Sequence, residues 1–172
     1  MSNVKHSSAS VEWYTPADIV DAAREVFGGS IDLDPASCEQ ANNTVKARRY
    51  LSGYGLEADW SGAASIFLNP PGGKLKGKSL PMLFWKKLIE TNPFGEAIVI
   101  CFSIEQLQTS QLAGHSMADY PFCIPRRRIP FNSPEGGKSQ PSHANAIIYV
   151  PGYLDNTERF IDNFSQFGTV IG

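Results

Sequence analysis

Ile66-Phe67-Leu68-Asn69-Pro70-Pro71 is the stretch that decides the fold. Three large apolar residues in a row suit a short buried strand, and the chain then stops in a polar residue and two prolines that cannot donate to a sheet ladder. A second segment has the same form: Ile31 to Leu33 reads as a strand and runs straight into Asp34-Pro35. Working outward, Thr15-Pro16 reads as a helix start, with Thr15 as N-cap and Pro16 in the first turn. Ile19, Val20, Ala23 and Val26 follow at helical spacing, and Gly28-Gly29 ends that helix. Ala36 to Tyr50 is polar or weakly helical, Gly53 to Gly55 marks a turn, and Gly72 to Ser79 reads as an exposed, mobile loop. Met82, Leu83, Trp85, Leu88 and Ile89 predict an amphipathic helix. Ala97 to Phe102, Phe122 to Ile124 and Ala146 to Val150 predict strands, Asn132 to His143 a loop, and Phe160 to Phe167 a closing helix.

Strands alternating with helices imply a layered α/β domain with a largely parallel sheet. Such sheets bind ligands at the carboxyl ends of their strands. Asp34-Pro35 and Asn69-Pro70-Pro71, placed on one edge, would flank one cleft.

At 172 residues the chain is expected to form one domain, 13–172, after a flexible polar tail, 1–12. Hydrophobic residues make up 42% and charged residues 19%, an ordinary globular balance, and no apolar run is long enough to cross a bilayer. Cys38, Cys101 and Cys123 are scattered, without a CxxC pair, which fits a reducing cytoplasm and neither a zinc site nor a disulfide framework. His6, His115 and His143 have no metal-ligand spacing, so no metal is expected. The net charge of −2 gives no global basic field. Lys74, Lys76 and Lys78 nevertheless cluster, as do Arg126, Arg127 and Arg128, and local patches of this kind can hold phosphates.

The chemistry of Asn69-Pro70-Pro71 follows from stiffness. Each proline fixes its own φ and restricts the residue before it. The Asn69 side-chain oxygen and the Pro70 carbonyl are thus two rigid acceptors, a match for an exocyclic amino group with its two N–H donors. Accepting both hydrogens draws the nitrogen towards tetrahedral geometry and frees its lone pair for attack on a methyl group, by positioning and electrostatics alone. A plain turn after a strand would have the same sequence, so the tripeptide needs its context.

That context is Trp13-Tyr14-Thr15-Pro16, Ile31-Asp32-Leu33-Asp34-Pro35-Ala36-Ser37, Asp59-Trp60, Phe67-Leu68-Asn69-Pro70-Pro71, Phe102-Ser103 with Glu105-Gln106-Leu107-Gln108, and Pro125-Arg126-Arg127-Arg128-Ile129 with Phe131. In this order and spacing it resembles the phage N6-adenine DNA methyltransferase (phage Dam-like) family, from about Trp13 to Val150. The resemblance implies a Rossmann-like S-adenosylmethionine-dependent methyltransferase fold, with a compact, mixed, mostly parallel sheet flanked by helices. It implies S-adenosyl-L-methionine as cofactor, DNA as substrate, and a phage or prophage origin. Trp13, Thr15 and Pro16 would help hold the methionine part of the cofactor. Asp34, with Pro35 and Ser37, would face its ammonium. Asp59 would accept from its adenine amino group, with Trp60 beside it. Asn69, Pro70 and Pro71 match the catalytic motif. Lys74, Lys76, Lys78, Arg126, Arg127, Arg128 and Phe131 would meet DNA, from which an adenine would be flipped.

Alternatives stay open at this point. Thr15-Pro16 is equally a helix cap, Trp60 equally core, and Asp32 competes with Asp34 as the important carboxylate. The acceptor could be an RNA base or a protein amide, or the chain a non-catalytic DNA-binding relic. Two departures from the family pattern stand out. No glycine-rich GxG follows Asp34, where Ala36 and Ser37 stand instead. The aromatic residue that commonly follows Asn-Pro-Pro, and stacks on the base, is replaced by Gly72-Gly73, leaving Trp85 and Phe131 as candidates for that stacking.

Overall fold

The computed structural model describes residues 13–91, 95–138 and 142–172. The expected tail, 1–12, lies outside the described residues, as does 139–141 of the expected loop. In chain order the elements are α1 (Ala17–Val26), β1 (Leu33–Asp34), α2 (Glu39–Val45), β2 (Arg49–Tyr50), β3 (Ser65–Leu68), β4 (Lys74–Leu75), β5 (Lys78–Ser79), α3 (Leu80–Thr91), β6 (Glu96–Cys101), α4 (Glu105–Leu112), β7 (Phe122–Pro125), β8 (Ala146–Val150), α5 (Thr157–Phe164) and β9 (Gly168–Ile171).

Among the described residues seven strands form one mixed sheet in the order β2-β1-β3-β6-β8-β7-β9. The first four are mutually parallel, with Leu33 opposite Ile66 and Leu68 opposite Val99. β8 runs antiparallel to β6 and to β7, and β9 antiparallel to β7. β7 therefore points the same way as β1, β3 and β6. Strand order reverses between β1 and β3, since β2 lies on one side and β6 on the other; this switch point is where an α/β sheet opens a crevice for ligands.

Helices cover both faces, which is why β3, β6 and β8 read as unbroken apolar runs. Side chains alternate between the two faces. Phe67, Ile98, Ile100, Ile147 and Tyr149 join Val20, Ala23 and Val26 of α1 and Phe160 and Phe164 of α5 in one buried cluster. Ile66, Leu68, Ala97, Val99, Cys101, Ile148 and Val150 join Phe84, Trp85 and Leu88 of α3 in the other.

Several sequence expectations change. Thr15 is not the N-cap of α1. Pro16 holds that position in extended geometry without a side-chain cap bond, and Asp18 Oδ1 accepts from the Ile19 N–H at 2.9 Å. The polar stretch after Asp34 holds both α2 and the two-residue edge strand β2, whose exposed side chains left no apolar pattern to read. Gly72 to Ser79 is a hairpin, not an unstructured loop. β4 pairs with β5 across a two-residue turn in which Lys76 and Gly77 both have positive φ, 48° and 79°, as a tight hairpin turn requires. The closing helix spans Thr157–Phe164, and a further strand, β9, four residues long with alternating exposure, follows it.

Candidate active site

β1 delivers Asp34 and β3 delivers Asn69 to the same edge, on neighbouring strands. Carrying the Leu33–Ile66 register onward, Asn69 lies two residues further out than Asp34, so their backbones are about 8 Å apart at ordinary strand spacings. Asp34 is 3% exposed. Its Oδ1 accepts from the Ala36 N–H at 3.2 Å, so a tight Asp turn stands where a GxG would be expected. Burial pushes its carboxyl up to about 7, against smaller lowering by hydrogen bonds from the Ala36 backbone and the Ser37 side chain. Among the described residues no basic side chain forms an ion pair with it.

The N-terminal segment ties the two motifs together. Asn69 Nδ2 donates to the Trp13 carbonyl at 2.9 Å. That bond fixes the carboxamide and leaves Oδ1 as the acceptor; among the described residues no donor engages it. Tyr14 pairs with Asn132 through two backbone hydrogen bonds of 2.9 Å, and its hydroxyl reaches Cys38 Sγ at 3.4 Å, on the loop after Asp34. Thr15 is 4% exposed, and its Oγ1 is buried with no hydrogen-bond partner. Among the described residues Gln106 Oε1, in the first turn of α4 just beyond β6, is the other buried side-chain oxygen without one. A buried hydroxyl without a partner costs free energy.

The Asp34-Pro35 loop is held from below. Gly55 approaches it so closely that a Cβ there would sit 2.0 Å from the Pro35 carbonyl oxygen and 2.9 Å from the Phe84 ring. Trp60 Nε1 donates to the Gly55 carbonyl at 2.7 Å, and the Trp60 ring stacks on Phe84 at 5.9 Å. Lys87 Nζ donates to the Leu56 and Ala58 carbonyls and lies 5.1 Å from the centre of the Trp60 ring. Gly55 read only as a turn glycine in the sequence; its close approach to Pro35 links positions 20 residues apart and left no local signal.

The remaining sequence candidates separate by burial. Trp60 is 0% exposed and its ring is committed to the core, so it offers no face to a cofactor. It supports the Gly55–Pro35 contact instead. Asp59 is exposed; its carboxylate accepts from the Ser61 N–H and Oγ, both at 2.8 Å, which hold it below the usual range. Its carbonyl accepts from Arg49, and its side chain is open to solvent. Asp32 is resolved from Asp34. It forms an ion pair with Arg48 at 3.2 Å and accepts from the Ala64 N–H, a structural role at the opening of β1. Phe131 is 1% exposed within the α1–α5 cluster and cannot touch DNA; Trp85, also 1% exposed, donates to the His115 carbonyl. Neither can stack on a base.

The cationic clusters lie on the same edge. Lys74, Lys76 and Lys78 are exposed on the hairpin that follows Pro71 directly. Arg126, Arg127 and Arg128 are exposed just past the carboxyl end of β7, and line a cavity of about 250 Å³ with Pro16, Asp18 and Phe167. A second cavity, about 280 Å³, lies by Asp32, Arg48, Arg49 and Ser61. Cys101 and Cys123 are buried, which raises their thiols to about 12 and about 11. No helix among the described residues is long and apolar enough to cross a membrane.

A family model described as DNA N-6-adenine-methyltransferase (Dam) matches residues 2–151. No curated protein matches the chain.

Proposed function

The chain belongs to the DNA N-6-adenine-methyltransferase (Dam) family, and from that premise we propose that it uses S-adenosyl-L-methionine to methylate the exocyclic amino group of an adenine flipped out of DNA, with Asn69-Pro70-Pro71 as the catalytic loop. The observation that carries this reading is the pinned Asn69 carboxamide, whose Nδ2 is occupied by Trp13 and whose Oδ1 is left for an incoming donor.

The residues at the switch point fit the cofactor. Among the described residues Asp34 is a buried carboxyl group with no ion-pair partner, and Thr15 Oγ1 a buried hydroxyl without a hydrogen-bond partner. An amino-acid ligand brings an ammonium and a carboxylate, which answer both needs. Asp34 would hold the ammonium and Thr15 would donate to the carboxylate, with Trp13, Pro16, Pro35 and Ser37 around them. When bound, the cofactor supplies an electrophilic sulfonium methyl group.

The work of the chain's own residues is then on the acceptor. Asn69 Oδ1 and the Pro70 carbonyl each accept one N–H of the amino group. An adenine amino nitrogen is a poor nucleophile because its lone pair is delocalised into the ring. Two acceptors on a frame that cannot rotate hold both hydrogens, so the lone pair is released and aimed at the methyl group. Proton loss follows methylation, and no covalent bond to the enzyme forms. The target amine lies within the duplex stack, which is why flipping is required. The lysines of the β4–β5 hairpin and Arg126 to Arg128 would hold phosphates and position the duplex without reading sequence.

The test is methyl transfer from labelled cofactor to DNA, comparing wild type with Asn69→Ala, followed by modified-base sequencing after expression in a methylation-free host. The expected result is N6-methyladenine in the wild-type sample and a loss of about 100-fold or more in the variant, as for removal of one transition-state hydrogen bond. Equal incorporation by both proteins, or label confined to RNA or protein, overturns the reading.

A further inference from the structure

Resting on that reading, one question is left open by the chain itself: what the flipped base lies against, when glycines follow Asn69-Pro70-Pro71 and both Trp85 and Phe131 are buried. We propose that Phe102 and His143 form the aromatic wall on which the acceptor purine stacks.

Topology brings both rings to the catalytic edge. β6 ends at Cys101 and β8 begins at Ala146, and these two residues are paired antiparallel. The chain leaving β6 and the chain entering β8 therefore stand together at the carboxyl edge of β3, where Asn69 stands. Both motifs also belong to one face of the sheet. Ile98 and Ile100 point to the α1–α5 side, and Phe102, two residues on, packs against that same cluster. Asn69 follows Phe67 by two residues, so by strand periodicity it belongs to the same face, where its amide meets the Trp13 backbone. Carrying the Leu68–Val99 register three residues onward sets Phe102 opposite Pro71, with the Asn69 and Phe102 backbones about 8 Å apart at ordinary strand spacings. One planar base can present its amino group to Asn69 and its face to this wall.

The rings are also firmly held. Phe131, Phe102 and His143 form a ladder from core to surface, with centroids 6.1 Å and 5.5 Å apart. Phe131 is buried, Phe102 half-buried and His143 exposed. Asn145, only 3% exposed, fixes the ladder's backbone: its Nδ2 donates to the Phe102 carbonyl at 2.7 Å, and its Oδ1 accepts from the Ile129 N–H at 2.8 Å. The Ile104 N–H donates to the Ala144 carbonyl at 2.8 Å, joining the two loops again. A rigid, half-exposed ring system beside a pair of amine acceptors is a stacking platform for a heterocycle, and stacking tolerates any base with a π-face. Asn69 and Pro70 then reject a base without an exocyclic amino group, such as thymine.

The experiment uses the full chain and a duplex containing the methylated site identified by sequencing. His143→Ala, Phe102→Leu and the aromatic-retaining pair His143→Phe and Phe102→Tyr are compared with wild type for kcat/KM on DNA, for cofactor affinity by calorimetry, and for 2-aminopurine fluorescence at the target position. The expected result is a loss of about ten- to a hundredfold in kcat/KM for His143→Ala and Phe102→Leu, unchanged cofactor affinity, altered 2-aminopurine emission, and near-wild-type activity in the aromatic-retaining pair. Unchanged kcat/KM in His143→Ala and Phe102→Leu, with an active wild type, overturns this inference and leaves the proposed function standing. Loss in Phe102→Leu that comes with weakened cofactor binding, and with full activity in His143→Ala, also overturns it, because Phe102 then serves packing alone. An inactive wild type defeats both.

Discussion

Replacing Asp34 with asparagine should make the ligand-free protein more stable while destroying cofactor binding. Asp34 is 3% exposed, and burial raises its carboxyl from 3.8 to about 7. A carboxyl whose folded value is raised binds more protons in the native state than in the unfolded one, so stability falls as pH rises between the two values. The full penalty of the ionised form is about 4 kcal/mol, taking about 1.4 kcal/mol per unit over some three units. Between pH 5 and pH 8 the ligand-free wild type should lose about 2–3 kcal/mol of unfolding free energy from this group. Glu96, also raised by burial, adds in the same direction. Asp59 and Asp155 are lowered, so their contribution falls away only below pH 4 and does not enter this window. Urea denaturation followed by the fluorescence of buried Trp60 and Trp85 measures the slope at each pH. Asp34→Asn should show a shallower slope and higher stability at pH 8. Calorimetry should show cofactor affinity of the wild type rising with pH through about 7, and none in the variant. Equal pH slopes in the two proteins would refute the assignment of Asp34 as a buried carboxylate awaiting a cation.

Gly55→Ala forces a methyl group against the Pro35 carbonyl, and should cost about 1–3 kcal/mol in a denaturant titration and weaken cofactor binding measured on the folded protein. Trp60→Phe keeps the ring over Phe84 but strands the Gly55 carbonyl, a loss of about 1–3 kcal/mol by the same titration. Replacing Lys74, Lys76 and Lys78 together with glutamine should reduce the slope of log affinity for DNA against log salt by up to about 3, with kcat at saturating DNA retained. A slope identical to wild type in filter binding would remove the hairpin from the DNA interface.

The order of local signals in the chain determined a good deal. Apolar runs broken by Asp34-Pro35 and Asn69-Pro70-Pro71 gave the strands and their functional edge, because strand burial and proline geometry are properties of a few adjacent residues. The periodicity of α1 and α3 was legible for the same reason. What only the tertiary structure decided depends on residues far apart in sequence. The exposed two-residue strand β2 carries no pattern of its own, β9 is too short a run to be told from a loop, and both exist through their neighbours in the sheet. Phe131, Trp85 and Trp60 have the composition of contact residues, but packing against partners distant in the chain buries their rings. Phe102 and His143 meet because β6 and β8 pair antiparallel, and Trp13 reaches Asn69 across 56 residues. Sequence fixes which groups a chain carries and how stiffly each is held locally; which of them share a wall is set by the closing of the sheet, where long-range burial outweighs local preference.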